Sequence, residues 1–126
     1  MRAIDTNVLV RLITRDEPAQ VRVAEAFVGN GVWVSHVVLA ETTWVLGEAY
    51  GLNHTRIAEV IEMLLTHQEL TLQDADVIAA ALDHYRRMPT LGFSDCLVLE
   101  IARKAGHLPF GTFDRRLSKL KGAERL

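Results

Sequence analysis

The sequence predicts an α/β protein in three layers, with helices on both faces of a central, mainly parallel sheet of four or five strands. Two observations predict it. Short apolar segments fit for buried strands alternate along the chain with longer segments whose apolar residues recur at helical spacing. Gly, Pro, Asn and Asp punctuate the junctions between them. Strands separated by helical crossovers pair in parallel and are covered by those helices.

Each element follows in order. Arg2-Ala3-Ile4 reads as a buried strand ending at Asp5, and Asp5-Thr6-Asn7 is a run of capping and turn-forming side chains. Val8, Leu9 and Leu12 then recur at helical spacing. Pro18 suits the start of a second helix, in which Val21, Ala24, Phe27 and Val28 share a face until Gly29-Asn30-Gly31. Val32-Trp33-Val34 forms a second strand. Ser35 offers an N-cap to a helix carrying Val38, Thr42, Val45, Leu46 and Ala49 on one stripe, with Gly51 as its stop. Asn53 or Thr55 caps the next helix, whose Ile57, Val60, Ile61, Leu64 and Leu65 fit the i, i+3, i+4, i+7, i+8 pattern.

In the second half, residues 69–73 alternate polar and apolar side chains as a half-buried strand does. Asp74 caps a helix with Val77, Ile78, Ala81, Leu82 and Tyr85 inward. After Pro89 and Gly92, Ser94 caps another, with Leu97, Val98, Ile101, Ala102 and Ala105 inward and Gly106 at its end. Residues 108–113 read as a last central strand running into Asp114. A short basic helix, 115–120, follows, and residues 123–126 suit an edge strand.

The 126 residues, 49% of them hydrophobic, are enough for one core, and no repeat, linker or low-complexity tract divides them. A single domain over 1–126 is expected. The longest apolar runs, such as 37–40 and 77–82, fall far short of the roughly 18–20 residues that span a bilayer. The start of the chain lacks the pattern of an export signal, and a lone cysteine, Cys96, excludes an internal disulfide or a cysteine zinc cluster. A cytoplasmic protein is expected.

The net charge of -2 does not announce a nucleic-acid binder, but its distribution is uneven. Residues 103–126 carry seven Lys and Arg against two acids, a net of +5, and the remainder totals -7. A basic C-terminal quarter of this kind attracts a phosphate backbone.

Four carboxylates stand where chemistry is possible. Asp5 and Asp114 close strands, and ligands of parallel sheets bind beyond the carboxyl ends of the strands. Asp95 falls in the first turn of a helix. Glu41 borders an apolar stripe, a position that charged groups seldom accept without partners. As isolated residues, the three aspartates serve equally well as helix caps. Converging acids repel unless a cation neutralises them, and oxygen-only ligation suits Mg²⁺ or Mn²⁺. Such ions activate water and stabilise the leaving oxygen of a phosphodiester. The five histidines show no four-residue metal pair and read as caps or surface groups, Trp33 and Trp44 as core or dimer contacts, and Cys96 as a packed thiol rather than a nucleophile.

The ordered set Ala3-Ile4-Asp5-Thr6-Asn7-Val8-Leu9, a mid-helix Glu41, Phe93-Ser94-Asp95 and Thr112-Phe113-Asp114 resembles the PIN domain, and within it the VapC-type toxins of bacterial toxin–antitoxin pairs. The likeness runs along essentially the entire chain. It implies a Mg²⁺- or Mn²⁺-dependent endoribonuclease, a homodimer, and inhibition by a small antitoxin that inserts a segment into the active-site groove. It further implies Asp5 and Asp95 as principal metal ligands, with Glu41 and Asp114 completing the set. Thr6, Asn7, Ser94 and Thr112 become supporting residues, and Arg115, Arg116 and Lys119 candidates for the RNA backbone. A non-catalytic PIN-like module that binds a partner protein or RNA is the alternative. An aspartyl-nucleophile phosphohydrolase is disfavoured, because Asn7 stands where such enzymes need a second Asp.

Overall fold

A computed structural model describes all 126 residues, Met1–Leu126, and divides them into two compact units, Met1–Ala75 and Asp76–Leu126. Six α-helices and five short strands, all paired in parallel, make it an α/β protein.

The first unit is built on a three-stranded sheet of order β1-β2-β3, from Arg2–Ala3, Val32–Val34 and Leu70–Leu72. Val32 lies opposite Arg2 on one side and Leu70 on the other. Two helices fill each crossover: α1 (Thr6–Thr14) and α2 (Pro18–Val28), then α3 (His36–Glu48) and α4 (His54–Thr66). In β2 and β3 the outer two residues are buried and the middle one is not, as strand alternation demands. β1 departs from expectation. Arg2 and Ala3 are exposed, and burial begins only at Ile4, whose N–H donates to the Trp33 carbonyl. A strand with a partner on one side only is left as the edge of its sheet.

The caps of this unit obey local chemistry. Asp5, Ser35 and Asn53 each sit in extended backbone and accept a hydrogen bond from the N–H three residues on, at 3.1, 3.1 and 2.9 Å. Pro18 opens α2 as expected. Of the stripe expected on α3, Thr42 and Leu46 are buried, joined by Leu39 and Thr43 and by His36 at its start, whereas Val38 and Val45 are half-buried and Ala49 is exposed. Apolar residues surround most of this helix, so periodicity alone does not select its buried face.

The second unit carries α5 (Ala75–Arg87, of which Ala75 closes the first unit), α6 (Phe93–Ala105) and a separate two-stranded sheet of β4 (Phe110–Thr112) and β5 (Ala123–Arg125). The expected four- or five-stranded sheet is therefore corrected to parallel sheets of three and two strands. β4 pairs with β5, the Phe110 N–H bonding the Gly122 carbonyl and the Leu126 N–H the Thr112 carbonyl. It is also shorter than residues 108–113, since Pro109 has no N–H to give a ladder. The expected basic helix is a single 3-10 turn, Leu117–Lys119.

All five residues expected inward on α5 are buried. Asp74 is not in the extended conformation of an N-cap but at φ 43°, a left-handed position that Asp tolerates. On α6 the N-cap is Gly92, not Ser94, and the buried set is Phe93, Cys96, Leu97, Leu99 and Glu100, while Val98 is exposed. Gly106 closes the helix at φ 85°, where a side chain would be strained. No helix is long and apolar enough to cross a membrane.

Candidate active site

In the first unit Asp5 stands where β1 gives way to α1. Its Oδ1 caps the helix at the Val8 N–H, which fixes the carboxyl group and leaves Oδ2 out of that bond. Asp5 is exposed, as is Glu41 on α3. Thr6 donates its hydroxyl to Glu41 Oε1 at 3.3 Å, so the residue after Asp5 holds the Glu41 carboxylate. The sequence placed Glu41 at the rim of an apolar stripe. It is instead on the solvent side of α3, between the buried Leu39 and Thr42.

A cleft of about 810 Å³ opens beside Asp5 between α1 and α2. Ile4, Val8, Val23 and Phe27 give it apolar walls, and Asn7, exposed and two residues after Asp5, stands at its lining. Arg11, on the same wall, is spent internally: it donates to Gln20 Oε1 at 2.6 Å and to the Tyr50 hydroxyl at 3.2 Å.

In the second unit Asp95 occupies the third position of α6, and its Oδ2 accepts the Gly92 N–H at 3.3 Å. Asp95 thus shares in capping its helix, and Ser94 is exposed beside it. Asp114 follows β4. Its Oδ1 accepts the N–H groups of Arg116 and Leu117 at 2.8 and 3.0 Å, and its own N–H donates to Thr112 Oγ1 at 3.0 Å. The Leu117 N–H first of all holds the Asp114 carboxyl below its ordinary value; burial opposes it, and the Arg116 N–H and guanidinium add to the lowering. The Arg116 guanidinium also donates to the Thr90 carbonyl at 2.9 Å, whereas Arg115 and Lys119 are exposed.

All four acids therefore offer hard carboxylate oxygens, and in Asp5, Asp95 and Asp114 one oxygen of the pair is committed to a backbone N–H. That donor chemistry fits a divalent cation such as Mg²⁺ or Mn²⁺. The structure joins Glu41 to Asp5 through Thr6, but it groups no three His, Cys, Asp or Glu side chains as a metal centre.

Two features escaped the sequence. Phe113, expected within a central strand, is 82% exposed next to Asp114. Glu100 is buried on α6, with His84 Nε2 at 2.9 Å and Arg103 Nε at 3.1 Å, so His84 is neither a cap nor a surface group. Its signal was present, since Glu100 lies three residues past Leu97 and four past Cys96, within the helix's apolar side. His36 is buried as well.

Cys96 is fully buried, and burial, reinforced by the Asp95 and Glu100 charges, pushes its thiol from 9.0 up to about 12. A raised native pKa means that the native state holds the proton more tightly. The associated stability is complete below the ordinary thiol pKa and is lost as pH climbs toward about 12. A thiol reagent at mildly alkaline pH is expected to leave the folded protein unmodified and to react once urea unfolds it; modification without unfolding would contradict a packed thiol.

No curated protein and no solved structure matches the chain. A family model does: the PIN domain, over residues 3–123, which takes in Asp5, Glu41, Asp95 and Asp114. PIN domains are a nuclease-type fold, generally metal-dependent and typically using divalent ions. With that match across nearly its whole length, the chain belongs to the PIN domain family.

Proposed function

We propose that this protein is a metal-dependent endoribonuclease, the toxin of a VapC-type toxin–antitoxin pair, in which residues 1–126 act as one domain. The observation that carries the reading is membership of a nuclease-type family whose match takes in all four acids, one of which, Glu41, is bonded to the residue following Asp5. Asp5 and Asp95 would be the principal ligands of Mg²⁺ or Mn²⁺, and Glu41 and Asp114 would complete the set. Bound there, the ion supplies Lewis-acid stabilisation of a phosphodiester and lowers the pKa of water.

The chain's own residues supply the rest. The caps at Val8, Gly92, Arg116 and Leu117 orient three of the carboxyl groups, and the Thr6 hydroxyl orients the fourth. Asn7, which lines the cleft with Asp5, would assist there, Ser94 would assist at Asp95, and Thr112 fixes the backbone of Asp114. Arg115 and Lys119, both exposed, and Arg116 hold the RNA backbone.

The cleft beside Asp5 gives an antitoxin segment a place for apolar side chains. Val37 and Trp44, 68% and 67% exposed two turns apart on one face of α3, support a homodimer. The lone buried thiol supports a cytoplasmic location.

The test is incubation of the purified protein with total RNA in Mn²⁺, in Mg²⁺ and in EDTA. Discrete fragments that require the metal are expected. Cleavage that persists in EDTA, or a protein that binds RNA but never cuts it, would replace this reading with a different mechanism or a binding module.

A further inference from the structure

Phe113 poses a physical question. Large aromatic residues go inside because burying them removes apolar area from water, yet this residue is 82% exposed. Slack does not explain it. The residue before it, Thr112, and the residue after it, Asp114, are tied to one another by the Thr112 Oγ1 bond at 3.0 Å, and Asp114 is anchored again by the N–H groups of Arg116 and Leu117. Thr112 belongs to β4 and Leu117 is buried. The backbone on either side of the ring is therefore fixed, and the ring is held out.

Its surroundings indicate the occupant. Arg115 and Lys119, both exposed, follow within six residues of it, and the second unit as a whole carries nine Lys and Arg against six acids. An exposed ring in a basic stretch of chain suits a polyanion that also presents flat faces. Single-stranded nucleic acid is such a ligand, since its phosphates follow positive charge while its unstacked bases lie on aromatic rings.

We propose that Phe113 is a stacking platform for an unpaired base of single-stranded RNA, and that it positions the strand at Asp114. The proposal rests on the ribonuclease reading and deepens it, making Phe113 a positioning residue for an unpaired stretch of the substrate. A base stacked on the ring sets the register of the backbone beside the neighbouring carboxylate. Duplex RNA, whose bases are already stacked, gains nothing from the ring.

The experiment measures anisotropy of short fluorescein-labelled oligouridylate and oligoadenylate, and of an RNA duplex, in EDTA so that nothing is cut. Wild type, Phe113→Ala, Phe113→Tyr and Arg115→Ala are compared at several salt concentrations. Phe113→Ala should weaken single-strand binding by about tenfold, and Phe113→Tyr should stay within about twofold of wild type. The salt slope should be unchanged in both, because no phosphate contact is lost, whereas Arg115→Ala should reduce it. Duplex binding should not respond to Phe113→Ala. The ring lies in solvent, so circular dichroism should show the variants folded.

If wild type binds single strands and Phe113→Ala binds them equally well, the platform is overturned and the ribonuclease reading stands. The same holds if Phe113→Ala alters only self-association, which would make the ring a protein contact. If wild type neither binds nor cleaves any RNA, the ribonuclease reading falls and the platform with it.

Discussion

Replacing Asp5 by Asn is expected to lower metal-dependent RNA cleavage by more than about 100-fold, beyond the loss typical of an outer-shell partner of a metal site. The fold should survive. Asn is as good an N-cap as Asp, so the Val8 N–H keeps an acceptor and α1 keeps its start. What is lost is the charge, and with it the hard anionic oxygen that a divalent ion requires. Asp5→Ala removes the cap as well and should cost about 1 kcal/mol of stability in addition to the activity. Asp95→Asn is expected to behave like Asp5→Asn, its side-chain oxygen still accepting the Gly92 N–H. Glu48→Gln, an exposed carboxylate on the same helix as Glu41, should cleave at the wild-type rate. The checks are cleavage rates in saturating Mn²⁺ and thermal unfolding of the same preparations. Full activity in either aspartate variant would remove that residue from the metal site.

This pair of measurements also separates the two roles that the sequence assigned to each aspartate. Metal ligand and helix cap were opposed as alternatives, yet a carboxylate has two oxygens, and the structure shows Asp5, Asp95 and Asp114 using one on backbone N–H groups. Capping orients the group and so prepares it for a ligand. A cap seen in a structure is thus no argument against chemistry at the same residue.

Local signals were legible where local physics decides. The caps Ser35 and Asn53, the Pro18 start of α2 and the inward face of α5 all follow from short-range bonding or from a single clear apolar stripe. The number of strands per sheet was not legible, because ladder partners lie far apart in sequence and a three-residue strand fits either sheet. Nor were the faces of α3 and α6. Both helices carry apolar residues on several sides, and tertiary packing, not periodicity, put Val37 and Val98 in solvent. The rule that a charge bordering an apolar stripe needs partners was sound but was applied to the wrong glutamate. Glu41 is in solvent, and Glu100 is the buried one. Phe113 was misread for a related reason, since an aromatic at the end of a strand counts as core until the strand is seen to stop at Thr112.

Glu100 carries the largest expected effect on stability. Its side chain is only 7% exposed and accepts from Arg103 Nε at 3.1 Å on both oxygens, while His84 Nε2 approaches Oε2 at 2.9 Å. The Arg103 guanidinium reaches on to the Lys121 carbonyl, just before β5. One carboxylate thereby joins α5, α6 and the turn that leads into the small sheet. Removing it strands a partly buried guanidinium and an imidazole, and uncompensated groups of this kind are what make broken buried pairs costly. Glu100→Ala is expected to lose about 2–4 kcal/mol, below the upper end for such pairs because Arg103 keeps a third of its surface in water. Urea unfolding should show a lower midpoint with an unchanged slope, the signature of altered stability rather than altered compactness. Glu100→Gln keeps an acceptor for Arg103 and should lose less. Raising the salt concentration should not abolish the difference between the variants, because a buried pair is poorly screened. A Glu100→Ala protein within about 0.5 kcal/mol of wild type would reduce the network to the ordinary value of a surface ion pair, and the C-terminal strand would then owe its place to the β4 ladder alone.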